Sequence, residues 1–323
     1  MRIMKNQTPA PTLPPVPPAE AEALYDRFLA EVRSRGIEPA VLITAALNAA
    51  VPAEGFSQVD TLKGWLDSFR PLPAEVVAEL KQFYTVQMTY HSNAIEGNTL
   101  TQSETEMVLS HGITIGGKTL VEHLEVISHR DAMEYVEELA RQNTPISEWE
   151  LKNLHSLILH PVDQATGNNE AGRYRIFDVR SAGTNHEYPP HYQVPELMAE
   201  FVTWLNSTAA GALHPVEYAA DAHYRFVAIH PFRDGNGRAA RLLMNLCLLR
   251  AGYPITVITN EQRRDYIGAL VHANNGDDTS LLAQLVAGAC RTSLLDYLAV
   301  LSTAGDSRGQ GAAFYRTVLP AHP

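Results

Sequence analysis

From residue 19 to residue 301, apolar side chains recur at helical spacing in one segment after another, and a single stretch departs from that rhythm. Leu24, Phe28 and Val32 recur four apart in residues 19–35. Residues 39–50 and 59–69 follow, and Pro71 and Pro73 then interrupt the chain. Residues 74–90 place Val77, Leu80, Phe83, Tyr84 and Met88 on one face. Ser103 with Glu106 predicts a capping box ahead of Met107. Residues 119–139 carry Leu120, Leu124, Ile127 and Ala132 as a stripe. Further helices are predicted over 147–159, 194–206, 215–229, 238–251, 262–274 and 279–301. The exception is residues 173–190, where Tyr174, Ile176, Val179 and Tyr188 surround Gly183 and two prolines. This segment reads as a short hairpin or an extended loop. The expected fold class is mainly α, and a doubly wound parallel sheet has nowhere to come from.

Six prolines between Pro9 and Pro18 make residues 1–18 an extended, mobile arm. The organisation expected after it is a helical region over 19–89, a catalytic core over 90–301 and a frayed Gly- and Ala-rich tail over 302–323. Lys and Arg total 25 against 36 Asp and Glu, a net charge of −11, which argues against a protein that tracks a nucleic-acid backbone. No run of about 18 apolar residues and no signal pattern occurs, so no membrane partner and a soluble, cytoplasmic protein are expected. Cys247 and Cys290 lie in apolar helical stretches and read as buried thiols.

Two phosphate-like motifs compete. Residues 112–119 match the P-loop pattern, with Gly112, Gly117, Lys118 and Thr119 at the defining positions. That mechanism needs a strand feeding the loop, and the residues before Gly112 are helix formers. Gly116-Gly117 therefore reads as a turn, with Thr119 opening a helix. The second motif runs from His230 to Arg241. A helix ends near His230, Pro231 prevents its continuation, and Asp234-Gly235-Asn236-Gly237 forces a tight turn. Arg238 begins a second helix, whose N-terminus offers orphan N–H donors to an anion. Arg238 and Arg241 are three apart, so both guanidinium groups can face that anion. Two arginines at a helix start oppose the helix dipole, and a bound anion would relieve the conflict. Asp234 suits a hard cation such as Mg²⁺. His230 stands where an imidazole could take a proton from a hydroxyl. Each feature alone is ordinary; together within twelve residues they point to a phosphate site.

The pattern His230-x-Phe232-x-Asp234-Gly235-Asn236-Gly237-Arg238-x-x-Arg241 resembles the complete signature of the Fic-domain family. Residues 170–175, 117–125 and 274–277 resemble further family segments, and the likeness covers about residues 90–301. The resemblance implies transfer of AMP from ATP to a Ser, Thr or Tyr hydroxyl of a protein. His230 would be the general base and Asp234 the Mg²⁺ ligand. Gly235, Asn236 and Gly237 would form an anion hole, Arg238 and Arg241 would hold the outer phosphates, and Phe232 would anchor the core. Val179, Arg180, Ser181, Ala182, Gly183 and Thr184 would belong to a flap that pairs with an extended target segment. The family often has adjacent aromatics near the adenine, whereas Tyr266 is followed here by Ile267; Tyr266 and Asn274 are the base contacts this leaves.

Ser92-Asn-Ala-Ile-Glu96-Gly97-Asn98 resembles the family's inhibitory motif, and its place ahead of the core implies a built-in N-terminal inhibitory helix. Ser92 and Glu96 are four apart and share a helix face, and Gly97 and Asn98 are natural helix stops. The implied partners are ATP and a hydroxyl-bearing protein, with self-modification and a homodimer left open. Two alternatives stand beside the autoinhibited transferase. The same pocket could remove AMP from a modified protein, with Glu96 orienting water. A Doc-like protein kinase is the other, although that variant carries Lys where this chain has Gly237. His155, His160, His186 and His191 carry little signal, and no zinc-hydrolase motif occurs.

Overall fold

The computed structural model describes residues 55–180, 187–276 and 278–303, together with six isolated positions between 23 and 36. Of those six, positions 23, 26, 27, 30 and 34 are helical. The segments predicted over 1–18 and 39–50 and the tail beyond 303 lie outside the described residues. The chain divides into two compact units, Met1–Gln82 with Ala287–Pro323, and Phe83–Val286. The division between Gln82 and Phe83 falls inside a helix.

In chain order the helices are α1 (Ser57–Ser68), α2 (Ala74–Ile95), α3 (Gln102–His111), α4 (Leu120–Gln142), α5 (Glu148–Thr166), α6 (Val194–Leu205), α7 (Pro215–Ile229), α8 (Asn236–Arg250), α9 (Arg263–Gly276) and α10 (Ser280–Thr303). Among the described residues there is no strand, and one isolated antiparallel bridge joins Arg180 to Glu187. The predicted hairpin is thus represented by that single bridge, and Ser181, Ala182, Gly183 and Thr184 lie outside the described residues.

Within the second unit α8 is the central element. It packs against α7, α4 and α5, and α4 packs along α5. A helix buried on every side must be apolar almost throughout. Leu242, Leu243, Met244, Leu246 and Leu248 meet that demand, each contributing about 1.5–3 kcal/mol by leaving water. The buried polar residues of this helix are Asn236, Arg238, Arg241 and Asn245, and the two arginines are charges near its start. Cys247 and Cys290 are both buried.

Local signals set the helix ends. Thr119 caps α4 and Glu122 returns the bond to Thr119, while Ser147 and Glu150 do the same for α5. The box at α3 differs from the sequence reading: Thr101 with Glu104 forms it, not Ser103 with Glu106. Leu100, just ahead of Thr101, is buried with Val108 and Val126, and that burial fixes where the helix begins. Helix α5 continues past Pro161 to Thr166, beyond the predicted stop at 159. Its extension carries Asp163, which accepts the N–H groups of Glu170 (2.6 Å) and Ala171 (2.7 Å). The residues of the P-loop pattern form no phosphate cradle. Gly112 is the left-handed cap of α3, and Lys118 donates to the Thr99 carbonyl at 2.5 Å.

Candidate active site

The turn between α7 and α8 is held by hydrogen bonds within the chain. His230 closes α7 in the left-handed region at φ 51, a conformation that costs a non-glycine residue of order 1–3 kcal/mol. Its N–H donates to the Phe226 carbonyl (3.1 Å), and its carbonyl accepts from Arg175 Nε (2.8 Å). Asn236 then spans the turn with its amide. Oδ1 accepts from the Phe232 N–H at 3.0 Å, and Nδ2 donates to the Phe232 carbonyl at 2.9 Å. Phe232 is fully buried, as an anchor should be. Gly235 takes φ 75 at the cap position, and no side chain caps the N-terminus of α8. The orphan donors of that helix start therefore have no protein side chain bonded in the capping position.

Burial pushes the His230 imidazole down to about 4, with Arg175 adding to the fall and the Val227 carbonyl, Glu96 and Asp234 opposing it. The ring is thus neutral and able to accept a proton at ordinary pH. Tyr188 stacks on it at 3.9 Å between centroids. The Asp234 side chain is 71% exposed; one oxygen accepts from the Gly235 N–H (2.6 Å) and the other from Arg238 Nη2 (3.3 Å).

The two signature arginines are already occupied. Arg238 Nη1 donates to Glu125 Oε1 at 3.0 Å. Arg241 donates from Nη2 to Glu96 Oε1 (2.8 Å) and to the Ser92 carbonyl (2.8 Å), and from Nε to Ser92 Oγ (3.0 Å). Ser92, in the last turn of α2, and Glu96, in the turn just past the helix end at Ile95, thus grip one guanidinium. Burial alone would lower the Arg241 guanidinium, but Glu96 and the Tyr266 hydroxyl beside it hold it above its ordinary value. A Cβ placed on Gly237 would land on Glu96 Oε1, so this carboxylate stands over the start of α8. Tyr266 is buried beneath the arginine. Its hydroxyl accepts from Arg241 Nη1 (3.3 Å) and meets His223 Nε2 (2.9 Å). Asn274 is half-buried at the far end of α9.

A family model described as Fic/DOC family matches residues 145–248. The structure of a Fic domain containing signaling protein from Bacteroides thetaiotaomicron superposes with a TM-score of 0.68 at 30% identity, covering 78% of this chain and 97% of that one. This chain belongs to the Fic/DOC family. Residues 134–508 of Fic-1 from C. elegans match with a TM-score of 0.66 at 28% identity over 88% of each chain. Among curated proteins, Protein adenylyltransferase Fic of Culex quinquefasciatus is 37% identical over 235 residues, 72% of this chain and 46% of that protein. The protein of the same name from Drosophila grimshawi is 43% identical over 191 residues, 59% and 38%. The chain spans less than half the length of these two curated relatives.

Three residues of this Fic core act on the signature from far away in sequence. Glu125 holds Arg238, as above, and its second oxygen accepts from Asn98 Nδ2 at 2.9 Å. His155 supports the turn from below: Nδ1 accepts the Gly172 N–H (2.9 Å), so the proton sits on Nε2, which donates to the Asp234 carbonyl (2.8 Å). Its ring stacks on Phe232 at 3.5 Å, and burial pushes its value down to about 4. Arg175 carries the third link. Besides His230 it donates from Nη2 to the Pro189 carbonyl (2.5 Å), tying the chain near Tyr188 to the His230 backbone. Val179 is half-buried and Arg180 exposed.

Proposed function

We propose that this Fic protein is an autoinhibited adenylyltransferase that moves AMP from ATP to a Ser, Thr or Tyr hydroxyl of a protein, its own chain included. The observation that carries the reading is the Glu96–Arg241 pair at 2.8 Å. A carboxylate there holds the fork that an ATP phosphate would need. Two anions competing for one guanidinium leave the nucleotide excluded or displaced, and a misplacement near 1 Å can cost about 10²-fold in rate.

With Glu96 withdrawn, the neutral imidazole of His230 accepts the proton of the incoming hydroxyl. The hydroxyl oxygen bonds to the α-phosphorus, the bond from that phosphorus to the bridging oxygen breaks, and pyrophosphate leaves. The N–H groups around Gly235, Asn236 and Gly237 and the two arginines hold the phosphate charge in place. The exposed Asp234 carboxylate fits a Mg²⁺ ion. Among the described residues no group of three acidic, His or Cys side chains could hold a metal alone, which suits an ion that takes its other ligands from nucleotide and water. That ion, when bound, neutralises phosphate charge. Asn274 is a better base contact than Tyr266, whose hydroxyl serves Arg241 and His223. Backbone pairing along the flap at Val179 and Arg180 would present the target hydroxyl.

Removal of AMP from a modified protein is a second reading, because the Glu96 side chain is 39% exposed and lies near enough to His230 to act on its charge. The kinase alternative is disfavoured, since a side chain at position 237 meets both Glu96 and Arg241. Labelled ATP supplied to the chain and a cell lysate tests the first reading. Glu96→Gly and Glu96→Gln should both raise incorporation of AMP, and no rise in either, with melting unchanged, would refute autoinhibition. Release of AMP from a modified target without ATP, lost on Glu96→Gln, would favour the second.

A further inference from the structure

Helix α2 ends in the inhibitory motif, and two of its faces are held. Ser92 and Glu96, one turn apart, meet Arg241. His91 and Ile95, also one turn apart, meet the segment that leads into α9. There the Asn260 N–H donates to His91 Nδ1 at 3.0 Å, with Glu261 Oε2 at 3.8 Å from the same nitrogen. Arg263 Nε donates to the Ile95 carbonyl at 2.9 Å. The last carbonyls of a helix lack intrahelical partners. Here Asn93 and Ala94 are served by the turn itself: Asn93 accepts from the Glu96 and Asn98 N–H groups, and Ala94 from Gly97. Ile95 is the residue directly before Glu96, and Arg263 supplies its donor. A cation at a helix C-terminus also complements the dipole.

We infer that Arg263 is a positioning residue that holds the end of α2 in place and so keeps Glu96 over the phosphate turn. This rests on the autoinhibited reading for its effect on activity, though not for its effect on the helix. The two grips differ in what nucleotide does to them. ATP competes directly for Arg241, whereas no phosphate of an in-line nucleotide needs Arg263. The bond to Ile95 therefore sets how readily Glu96 swings away once Arg241 is contested. Arg263 makes no claim on the reacting atoms, so its loss should free the enzyme rather than impair it.

The test compares the full chain with Arg263→Met, which keeps the length of the stem and removes the donors, and with Arg264→Met as a charge-matched neighbour. Labelled AMP incorporation should rise roughly three- to tenfold in Arg263→Met, the scale of one charge-assisted hydrogen bond partly backed by His91. It should stay unchanged in Arg264→Met. In a Glu96→Gly background, Arg263→Met should add nothing, because the group it holds is gone. Hydrogen–deuterium exchange over residues 92–98 should quicken in Arg263→Met. A rise in Glu96→Gly with no rise in Arg263→Met would overturn the inference. An equal rise in Arg264→Met, or an undiminished one in the Glu96→Gly background, would overturn it as well. If Glu96→Gly itself gives no rise, autoinhibition fails, and exchange alone judges Arg263: unchanged exchange over 92–98 overturns it, and quickened exchange upholds the grip on the helix.

Discussion

Two glycine turns in this chain both lead into a helix, and both look like phosphate cradles in one dimension. At Gly117 the helix start is capped by its own side chains. Thr119 accepts from the Glu122 N–H, Glu122 answers to the Thr119 N–H, and Lys118 is tied to Thr99. At Gly235 no side chain caps the helix, two arginines follow, and the carboxylate over Gly237 comes from another helix. The contrast teaches that glycine spacing does not make an anion site. Donors left without a local side-chain cap are what such a site needs, and at α8 the Glu96 carboxylate stands over the helix start.

The deepest break in that comparison is chemical. The second turn carries the proposed general base, and His230→Ala should lower AMP incorporation by about 10²–10⁴-fold with the fold intact. Transfer at the unmodified rate would remove His230 from the mechanism. Next comes nucleotide affinity. Arg241→Ala should weaken ATP binding by roughly 10- to 100-fold, the worth of charge-assisted hydrogen bonds to phosphate, while Lys118→Ala leaves it unchanged. The opposite ranking in a calorimetric titration would restore the first turn as the phosphate site.

Acid should also separate the two turns. His155 and His230 are pushed down to about 4 by burial, and His129 and His223, at the same core, to about 3. Above pH 6.5 these rings are neutral folded or unfolded and contribute nothing to pH dependence. Below it the unfolded chain takes up protons that the folded chain refuses, so stability falls until the folded values are reached. Between pH 6.5 and 5 the loss is about 2 kcal/mol for each such histidine. The melting temperature should therefore drop over that interval, and His155→Gln should make the drop smaller. A flat profile would show that the rings charge freely. The smallest effect belongs to the first turn: Thr119→Ala should cost about 1 kcal/mol of stability through the lost cap, with ATP affinity untouched. A matching loss of affinity would blur the distinction.

What the sequence disclosed follows interaction range. The helical rhythm of α4, α7 and α8 and the turn at Asp234 are set by neighbours within a few residues, and each was legible. Glu125 meets Arg238 from 113 residues away, His155 meets Asp234 from 79, and Arg175 meets His230 from 55. No periodicity records such pairings, so His155 looked like one more histidine. The cap of α3 was misread for a different reason. Thr101-x-x-Glu104 and Ser103-x-x-Glu106 satisfy the same local rule, and burial of Leu100 decided between them. The motif at Ser92 could be read as a helix face, but that its face meets Arg241 is a fact of tertiary packing.

The missing Cβ at position 237 has an implication for how such a protein can change over generations. Any side chain there would occupy the space that Glu96 Oε1 now fills. A single replacement at 237 would therefore displace the Glu96 carboxylate and crowd Arg241 in the same stroke. Under the autoinhibited reading proposed above, lineages that need a permanently active form should reach it through residue 96 or its supports, and glycine at 237 should outlast the loss of the carboxylate above it.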